Sequence, residues 1–378
     1  MGRILGVVCA SVCVLIGGGS VFGFSALQQT LLNERVFAFL CGAGVSSPCD
    51  AEIERMTLLF SLSIGLLYVA VFPFGFVIDL LGAAFVMMFG AVFACAAFVV
   101  VAIFPRESLA WSLAIPLLGI CSPALFMSAL VFPRFLSHSS SWTMLVISSF
   151  DVGSGVFLGL LLVPMHDRNV FLGVLGGATL LFGAIAAWSL PSVGDVRDLQ
   201  DKESHFEVTE STAQSLKKVD FWAATFFIAV WSMKNRFLYF FRKGKFFLLS
   251  RSPSPLSFYL ASFETVWRLF DAESAGTAVF VLNCAMPVAG LLALPLGMVL
   301  FKLPVFGVFF VVVAIGLAYS VCQFFYNSIV QYVGVVFYAF MRPLKWSVVS
   351  FYILSTFPLT NVGRLFGVLN LVFFSLFI

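Results

Sequence analysis

The sequence predicts an all-α membrane protein, a bundle of about 10–11 transmembrane helices arranged in two halves. Three observations lead to this prediction. Hydrophobic residues make up 61% of the 378 residues and charged residues only 10%, far from the balance of a soluble domain. Apolar runs of about 20 residues, long enough to cross a bilayer as a helix, recur along the chain. A charged stretch, residues 191–220, divides these runs into two groups.

The composition also excludes several classes of protein. Disordered chains, collagens, coiled coils and nucleic-acid-binding surfaces need polar or repetitive sequence that is missing here. The 21 basic and 18 acidic residues leave a net charge of +3, too small to indicate an electrostatic partner. We therefore expect the lipid bilayer as a partner and no nucleic acid.

Residues 1–190 form the predicted N-terminal half, with six transmembrane helices joined by short loops. The first run follows Arg3, as in a signal peptide, but its length favours a retained helix. The six apolar runs are Ile4–Phe24, Met56–Ile78, Ala83–Phe104, Leu109–Phe132, Thr143–Val163 and Val170–Leu190.

Residues 191–220 hold seven acidic and four basic residues and are predicted to form a cytosolic central loop. The predicted C-terminal half, residues 221–378, is irregular at 232–275, where basic residues interrupt a helix that begins at Phe221. A final run from Leu365 is too short to cross the membrane, so the last helix is expected to be incomplete. The clear runs between are Gly276–Leu300, Pro304–Cys322 and Ile329–Leu354.

Basic residues favour a cytosolic N-terminus. With that orientation, six bases up to Lys218 fall on the cytosolic side and four fall outside. The first loop, with Cys41 and Cys49, then lies outside, where an oxidising compartment permits a disulfide. Two free thiols are the alternative. The spacing of cysteines and histidines indicates neither a metal site nor a cofactor.

The second run ends in a motif of the form G-x-x-x-D-x-x-G, built from Gly75, Asp79 and Gly82. Gly75 would let a neighbouring helix approach closely, and Gly82 can adopt the positive φ of a tight turn. Asp79 lies near the membrane and needs a partner or water. A tight turn with an exposed acid is the alternative interpretation.

This motif resembles the signature loop of the major facilitator superfamily, which follows the second helix of that fold. In that family the acid lies between the two halves and stabilises the outward-open state, which implies a gating role for Gly75, Asp79 and Gly82. The family's usual basic residues after the acid and the second glycine are replaced here by Leu80 and Ala83.

Two segments near the end of the chain extend the resemblance. The stretch Tyr338-Ala-Phe-Met-Arg342-Pro and the later Asn361-Val-Gly363-Arg364-Leu-Phe-Gly resemble the solute carrier 43 branch and its apicomplexan amino-acid transporter relatives. The resemblance implies transport of neutral or cationic amino acids across the plasma membrane by alternating access. It also implies gating positions at Asn361, Gly363 and Arg364.

Candidate substrate-binding residues are polar or flexible positions inside the runs. Arg342, the deepest base, could hold a carboxylate bidentately, and Asp151, the deepest acid, could accept an ammonium. Pairing that merely fixes the bundle is the alternative for each. A glycine-rich stretch in the first run would expose backbone groups to a solute, although helix packing explains its glycines as well. The predicted set is Ser20, Phe24, Asp151, Tyr338 and Arg342.

The favoured function is therefore a transporter and not an enzyme. The alternative is a non-transporting remnant of such a carrier, or the product of an imperfect gene prediction over residues 232–275 and at the end of the chain. An intramembrane enzyme is less favoured, because the runs contain neither paired aspartates nor a Ser–His pair.

Overall fold

A computed structural model describes residues 2–42, 49–137, 139–164, 167–191, 222, 267, 274–300, 305–325, 327–357 and 359–375. Regular structure within these residues is helical, with no strands. The helices are α1 (Gly2–Asn33), α2 (Asp50–Leu81), α3 (Ala83–Ile103), α4 (Ser108–Ala129), α5 (Ser139–Val152, continued by Val156–Leu162), α6 (Arg168–Ser189), α7 (Ala275–Leu300), α8 (Val305–Phe324), α9 (Ser328–Thr356) and α10 (Leu359–Ser375).

The prediction of an all-α multi-pass membrane protein is confirmed. In the described part of the chain, eight helices, α1 to α8, are long and apolar enough to cross a membrane. Large apolar side chains such as Leu58, Phe85 and Val174 are exposed on the outer surface, where a soluble protein would carry polar groups. The central loop 191–220 and the irregular segment 232–275 lie outside the described residues, apart from Pro191, Trp267 and the start of α7.

Helix ends differ from the predicted ones where polar residues continue a helix. α2 begins at Asp50, ahead of the predicted Met56, and its first turn contains Asp50 and Glu52, which interact favourably with the positive end of the helix dipole. α10 begins at Leu359 and not at Leu365. The apolar-run criterion missed residues 359–364 because Asn361 and Arg364 lower their hydropathy.

Small residues bring the helices of residues 1–190 together. α3 packs against α4 and α6, α2 packs against α4, and the start of α1 packs against α6. A Cβ carbon on Gly176 of α6 would lie 3.2 Å from the Cys95 carbonyl oxygen of α3. The hydrophobic effect does not drive helices together in lipid. Such close approach therefore supplies the van der Waals contact that holds them together.

Several helix contacts join the N-terminal helices to the later ones, and two of them are extensive. α2 packs against α10, and α5 packs against α7. α7 and α8 both pack against α9, which also reaches α5. α9 therefore lies next to the boundary between the two groups of helices.

Both α1 and α5 are interrupted at the point where they touch. α1 contains a π-helical turn at Val14–Gly18 followed by a 3-10 turn at Gly19–Gly23, and α5 contains a 3-10 turn at Gly153–Gly155. A Cβ carbon on Gly19 would lie 2.8 Å from the Gly153 Cα carbon. Glycine is needed at both positions because the two backbones are in direct contact, and π-helical turns of this kind are frequent at functional sites.

Candidate substrate site and gate

Asp151 of α5 and Arg342 of α9 form an ion pair inside the bundle. The Nε of Arg342 lies 3.5 Å from Oδ1 of Asp151, and the two side chains are 1% and 4% exposed, respectively. The structure thus brings together the deepest acid and the base that the sequence singled out. Taking two charges out of water costs several kcal/mol per ion, so a buried pair of this kind marks a functional candidate.

An aromatic ring from the irregular part of α1 covers the arginine. Cζ of Arg342 lies 3.8 Å from the centre of the Phe22 ring, a cation–π contact. Phe22 also packs edge-on against Phe150 of α5, with ring centres 5.5 Å apart. Phe24, the predicted binding residue, stacks on Phe60 of α2 with ring centres 4.4 Å apart. The contact with Arg342 is therefore made by Phe22, two residues earlier.

A second buried cation, Lys345, lies one helical turn after Arg342 on α9. Its side chain is 1% exposed, and Nζ lies 5.2 Å from the Trp346 ring. The expectation that Arg342 is the single deep base was wrong, because residues three apart on a helix share one side and Arg342 faces the interior. That spacing was the available sequence signal. Lys345 is also within coulombic reach of Asp151.

Two buried atoms of this ion pair, Oδ2 of Asp151 and Nη1 of Arg342, have no hydrogen-bond partner among the described residues. On α7, the buried Nδ2 of Asn283 also lacks one in this part of the chain. Asn283 of α7 accepts a hydrogen bond through Oδ1 from the Ser25 hydroxyl of α1. Buried polar groups are nearly always hydrogen-bonded, so the two unsatisfied atoms of the ion pair indicate a place for a polar ligand.

The other two predicted binding residues are buried nearby on the same helices. Tyr338 lies four residues before Arg342 on α9, and its ring packs against Tyr319 of α8 with centres 5.6 Å apart. The Ser20 hydroxyl donates to the Gly17 carbonyl oxygen, 3.5 Å away, within α1. Ser20 therefore satisfies a backbone group of the interrupted helix.

Serines also satisfy carbonyl groups that the interruptions release. The Ser122 hydroxyl of α4 donates to the Gly18 carbonyl oxygen at 2.7 Å, and the Ser154 hydroxyl donates to the Asp151 carbonyl oxygen at 2.7 Å. Irregular backbone inside a membrane protein is tolerated where neighbouring groups bond it in this way.

The predicted gating residues meet at the end of α2. Nε of Arg364 in α10 lies 3.0 Å from Oδ2 of Asp79, and Cζ of Arg364 lies 5.3 Å from the centre of the Phe76 ring. Asp79 is 8% exposed, whereas Arg364 is 37% exposed. A second charged residue, from the other group of helices, is therefore the partner that Asp79 needs near the membrane.

Glycines make the close approach around this ion pair possible. Gly75 and Gly363 touch backbone to backbone, since a Cβ carbon on Gly363 would lie 2.9 Å from the Gly75 Cα carbon. Gly82 has a φ of 90°, which a glycine adopts without strain, and it separates α2 from α3. Asn361 lies in the first turn of α10, and its side chain is outside the described part of the structure.

Cys41 and Cys49 are joined by a disulfide, with Cα carbons 5.8 Å apart. Cys41 follows a short 3-10 turn, Ala38–Leu40, after α1, and Cys49 immediately precedes α2. At the same end of the bundle, the guanidinium of Arg168 pairs with the carboxylate of Glu34 and so joins the start of α6 to the end of α1.

Solved transporters share this arrangement of helices. The human organic anion transporter MFSD10 (TETRAN) matches with a TM-score of 0.63, over 99% of this chain and 91% of that chain, at 15% identity. The chain has the major facilitator fold. The major facilitator superfamily proton:xylose symporter XylE, bound to 6-bromo-6-deoxy-D-glucose, matches equally well, with a TM-score of 0.63 over 99% and 86% of the two chains at 12% identity.

Sequence comparison matches a smaller part of the chain. Protein FMP42 of Saccharomyces cerevisiae is 29% identical over 161 residues, which cover 40% of this chain and 31% of the yeast protein. The match thus spans about a third of that curated relative's length. No known protein-family profile matches the chain. The major facilitator fold that the resemblance implied is confirmed, and the solute carrier 43 and apicomplexan branch is not supported.

Proposed function

We propose that the chain moves an amino acid across a membrane by alternating access. The observation that carries this proposal is the buried pair of Asp151 and Arg342, which places one anion and one cation side by side between α5 and α9. An amino acid offers the complementary pair, a carboxylate and an ammonium. Charges are retained inside membrane proteins mainly where they bind or move a solute.

The orphaned atoms define how such a solute would bind. Nη1 of Arg342 would donate to the carboxylate, and Oδ2 of Asp151 would accept from the ammonium. The two side chains pair with each other when no solute lies between them. Phe22 covers the guanidinium from α1 and would hold it in place during the exchange of partners.

Alternating access requires one end of the bundle to open while the other is closed. The Asp79–Arg364 ion pair and the Gly75–Gly363 contact close the bundle where α2 ends and α10 begins. With the N-terminus in the cytosol, this end is cytosolic, so these residues act as the inner gate. Opening it separates α2 from α10, a rigid-body movement of one half against the other.

The same orientation places the Cys41–Cys49 disulfide outside the cell, in an oxidising compartment. The plasma membrane meets this condition, and it is also the membrane across which an uptake carrier works. This part of the proposal depends on the basic residues counted in the sequence and on the disulfide.

Uptake of a panel of labelled amino acids by cells that express the full chain tests the proposal. We expect uptake of one group of amino acids by the wild type, its loss in Arg342→Ala, and no change in Arg106→Ala. Arg106 is the matched control, because it lies exposed in the turn between α3 and α4. Surface labelling must show equal amounts of all three proteins. Wild-type protein at the surface that moves no amino acid would refute the proposal and support a non-transporting protein.

A further inference from the structure

A hydrogen bond joins α1 to α7 across the boundary between the two groups of helices. The Ser25 hydroxyl donates to Oδ1 of Asn283, and both side chains are buried. Phe24, next to Ser25, stacks on Phe60 of α2. Asp79 of the inner gate follows 19 residues after Phe60 on the same helix, which places it about 28 Å further along. The hydrogen bond therefore lies towards the opposite end of the bundle from the inner gate.

The hydrogen bond also lies between the proposed substrate site and that opposite end. On α1, Ser25 is three residues nearer the end of the helix than Phe22, which contacts the guanidinium of the site. On α7, Asn283 precedes Gly290 by about two turns, and a Cβ carbon on Gly290 would lie 3.1 Å from the backbone carbonyl carbon of Asp151. Both helices thus pass from the site to this hydrogen bond on their way out of the bundle.

A proline interrupts α7 beside the hydrogen bond. Pro287 lies inside the helix and has no backbone N–H, so the carbonyl group of Asn283, four residues earlier, receives no helical hydrogen bond from it. Sharp bends in helices occur mainly at such prolines. Beyond it, Gly290 holds α7 against α5, because a Cβ carbon there would lie 2.8 Å from the backbone nitrogen of Val152. Residues 275–283 can therefore tilt about Pro287 while the following part of α7 stays packed on α5.

The Asn283 side chain favours such a movement. Its buried Nδ2 has no hydrogen-bond partner among the described residues, and an unsatisfied buried donor destabilises the closed position. Water would satisfy this atom once the segment tilts outward. The bond from Ser25 that opposes the tilt is a neutral one, and neutral hydrogen bonds are weaker than charge-assisted bonds such as the Asp79–Arg364 pair.

We propose that residues 275–283 of α7 form an outer gate, which the Ser25–Asn283 hydrogen bond closes and which opens about Pro287. The inference goes beyond the proposed function, which assigns the inner gate alone, and it does not depend on the identity of the solute. In this structure both the inner ion pair and the outer hydrogen bond are formed. The outer gate is the weaker of the two and opens more readily.

The rate at which a cysteine in the site is labelled tests the gate without any solute. Intact cells that express the full chain with Phe22→Cys are treated with a membrane-impermeant methanethiosulfonate, and the chain without this substitution gives the background. Adding Ser25→Ala should raise the labelling rate about twofold to tenfold, as the loss of one hydrogen bond provides. Adding Ser11→Ala should not, because the Ser11 hydroxyl donates to the Val7 carbonyl oxygen within α1. Adding Asp79→Asn should lower the rate, because it weakens the inner gate.

Two outcomes of this experiment would overturn the inference. An unchanged rate with Ser25→Ala, or an equal rise with Ser11→Ala, would show that the hydrogen bond does not close the site. Faster labelling after Asp79→Asn would show that the other end of the bundle faces the outside, and the gate assigned here would then not be the outer one.

The hinge is tested on the same reporter. Pro287→Ala supplies a backbone N–H to the Asn283 carbonyl group and should slow labelling about twofold to tenfold, because the straightened helix resists the tilt. Pro295→Ala is the matched control, since Pro295 is exposed on the same helix beyond Gly290. Equal rates in the two variants would overturn the hinge.

Cross-linking the two residues connects the gate to transport. In a Cys284→Ser background, a short bis-methanethiosulfonate should bridge Ser25→Cys to Asn283→Cys, abolish amino-acid uptake and release it again on mild reduction. Each single variant receives the same treatment and should keep its uptake. Surface protein that does not cross-link, or that transports while cross-linked, would overturn the gate. A wild type that moves no amino acid would refute the proposed function, and the labelling rates would still decide the gate.

Discussion

Gly75 of α2 and Gly363 of α10 pack with their backbones in contact, across the boundary between the two groups of helices. Each glycine leaves space that the other backbone fills, so neither position accepts a side chain without a shift of one helix. The Asp79–Arg364 ion pair lies one turn further along α2. The closed end of the bundle is thus held by a steric fit and by a charge pair, which substitutions can separate.

Gly363→Ala should weaken the closed end and reduce uptake. An added methyl group in a packed interface costs about 1–3 kcal/mol. Gly177→Ala is the matched control, because a Cβ carbon at Gly177 of α6 would meet nothing within 4 Å. Uptake rates and thermal unfolding in detergent measure the effect. Equal behaviour of the two variants would contradict the steric role.

The Asp79–Arg364 pair should show coupling in a double-mutant cycle. Asp79→Asn and Arg364→Gln each remove the attraction, so the second substitution should cost little once the first is present. For residues in contact, a coupling of about 0.5–3 kcal/mol is typical. Uptake rates at low and high salt provide the measurement, since the half-exposed Arg364 makes the pair sensitive to screening. Strictly additive effects would show that the pair does not act as a unit.

The Asp151–Arg342 pair allows binding to be separated from support of the bundle. Arg342→Met alone removes the guanidinium that pairs with the buried Asp151 carboxylate and should destabilise the protein by about 3–5 kcal/mol. Arg342→Met combined with Asp151→Leu removes both members of the pair and should restore part of the thermal stability, since Lys345 then loses a nearby carboxylate. Uptake should stay absent in the double variant. Full uptake there would reduce the pair to a structural element.

Phe22 and Phe24 provide a matched pair of aromatic substitutions. Phe22→Leu removes a cation–π contact worth about 0.5–2 kcal/mol and should raise the KM for uptake. Phe24→Leu removes packing against Phe60 and should lower stability with little effect on KM. Concentration-dependent uptake together with unfolding temperatures distinguishes the two outcomes. The same KM in both variants would argue against the place of Phe22 in the site.

The Cys41–Cys49 disulfide predicts the side of the membrane on which the first loop lies. A membrane-impermeant maleimide should label intact cells only after mild reduction, and it should not label a Cys41→Ser, Cys49→Ser double variant. The six free cysteines of the described helices lie within the bundle and provide the background. Labelling before reduction, or none after it, would contradict the disulfide or the orientation.

Hydropathy alone was enough to predict the helices from α1 to α9, because each contains a largely apolar run of about 20 residues. It was insufficient where polar residues are buried by another helix. The sequence around Lys345 and Asn283 does not show that they are buried. Their burial depends on α5 and α1, which lie far away along the chain. The start of α10 was missed because Asn361 and Arg364 lower the hydropathy there.

The sequence could not predict that Phe22 contacts Arg342, for a different physical reason. A regular helix has 3.6 residues per turn, whereas the π-helical and 3-10 turns of α1 have different repeats. The side of the helix on which each aromatic lies therefore changes across Val14–Gly23. The glycine content indicated that α1 is irregular. It did not indicate by how many degrees the irregular turns rotate the side chains around the helix axis.

The contact between Gly19 and Gly153 has a mechanical consequence. Because the backbones of α1 and α5 touch with no side chains between them, the two helices have no room to slide past each other. Phe22 and Asp151 lie on either side of this contact and must travel as one rigid piece. α9 carries Arg342 and is not part of this backbone contact, so in the proposed site the part that moves is the one that bears the positive charge.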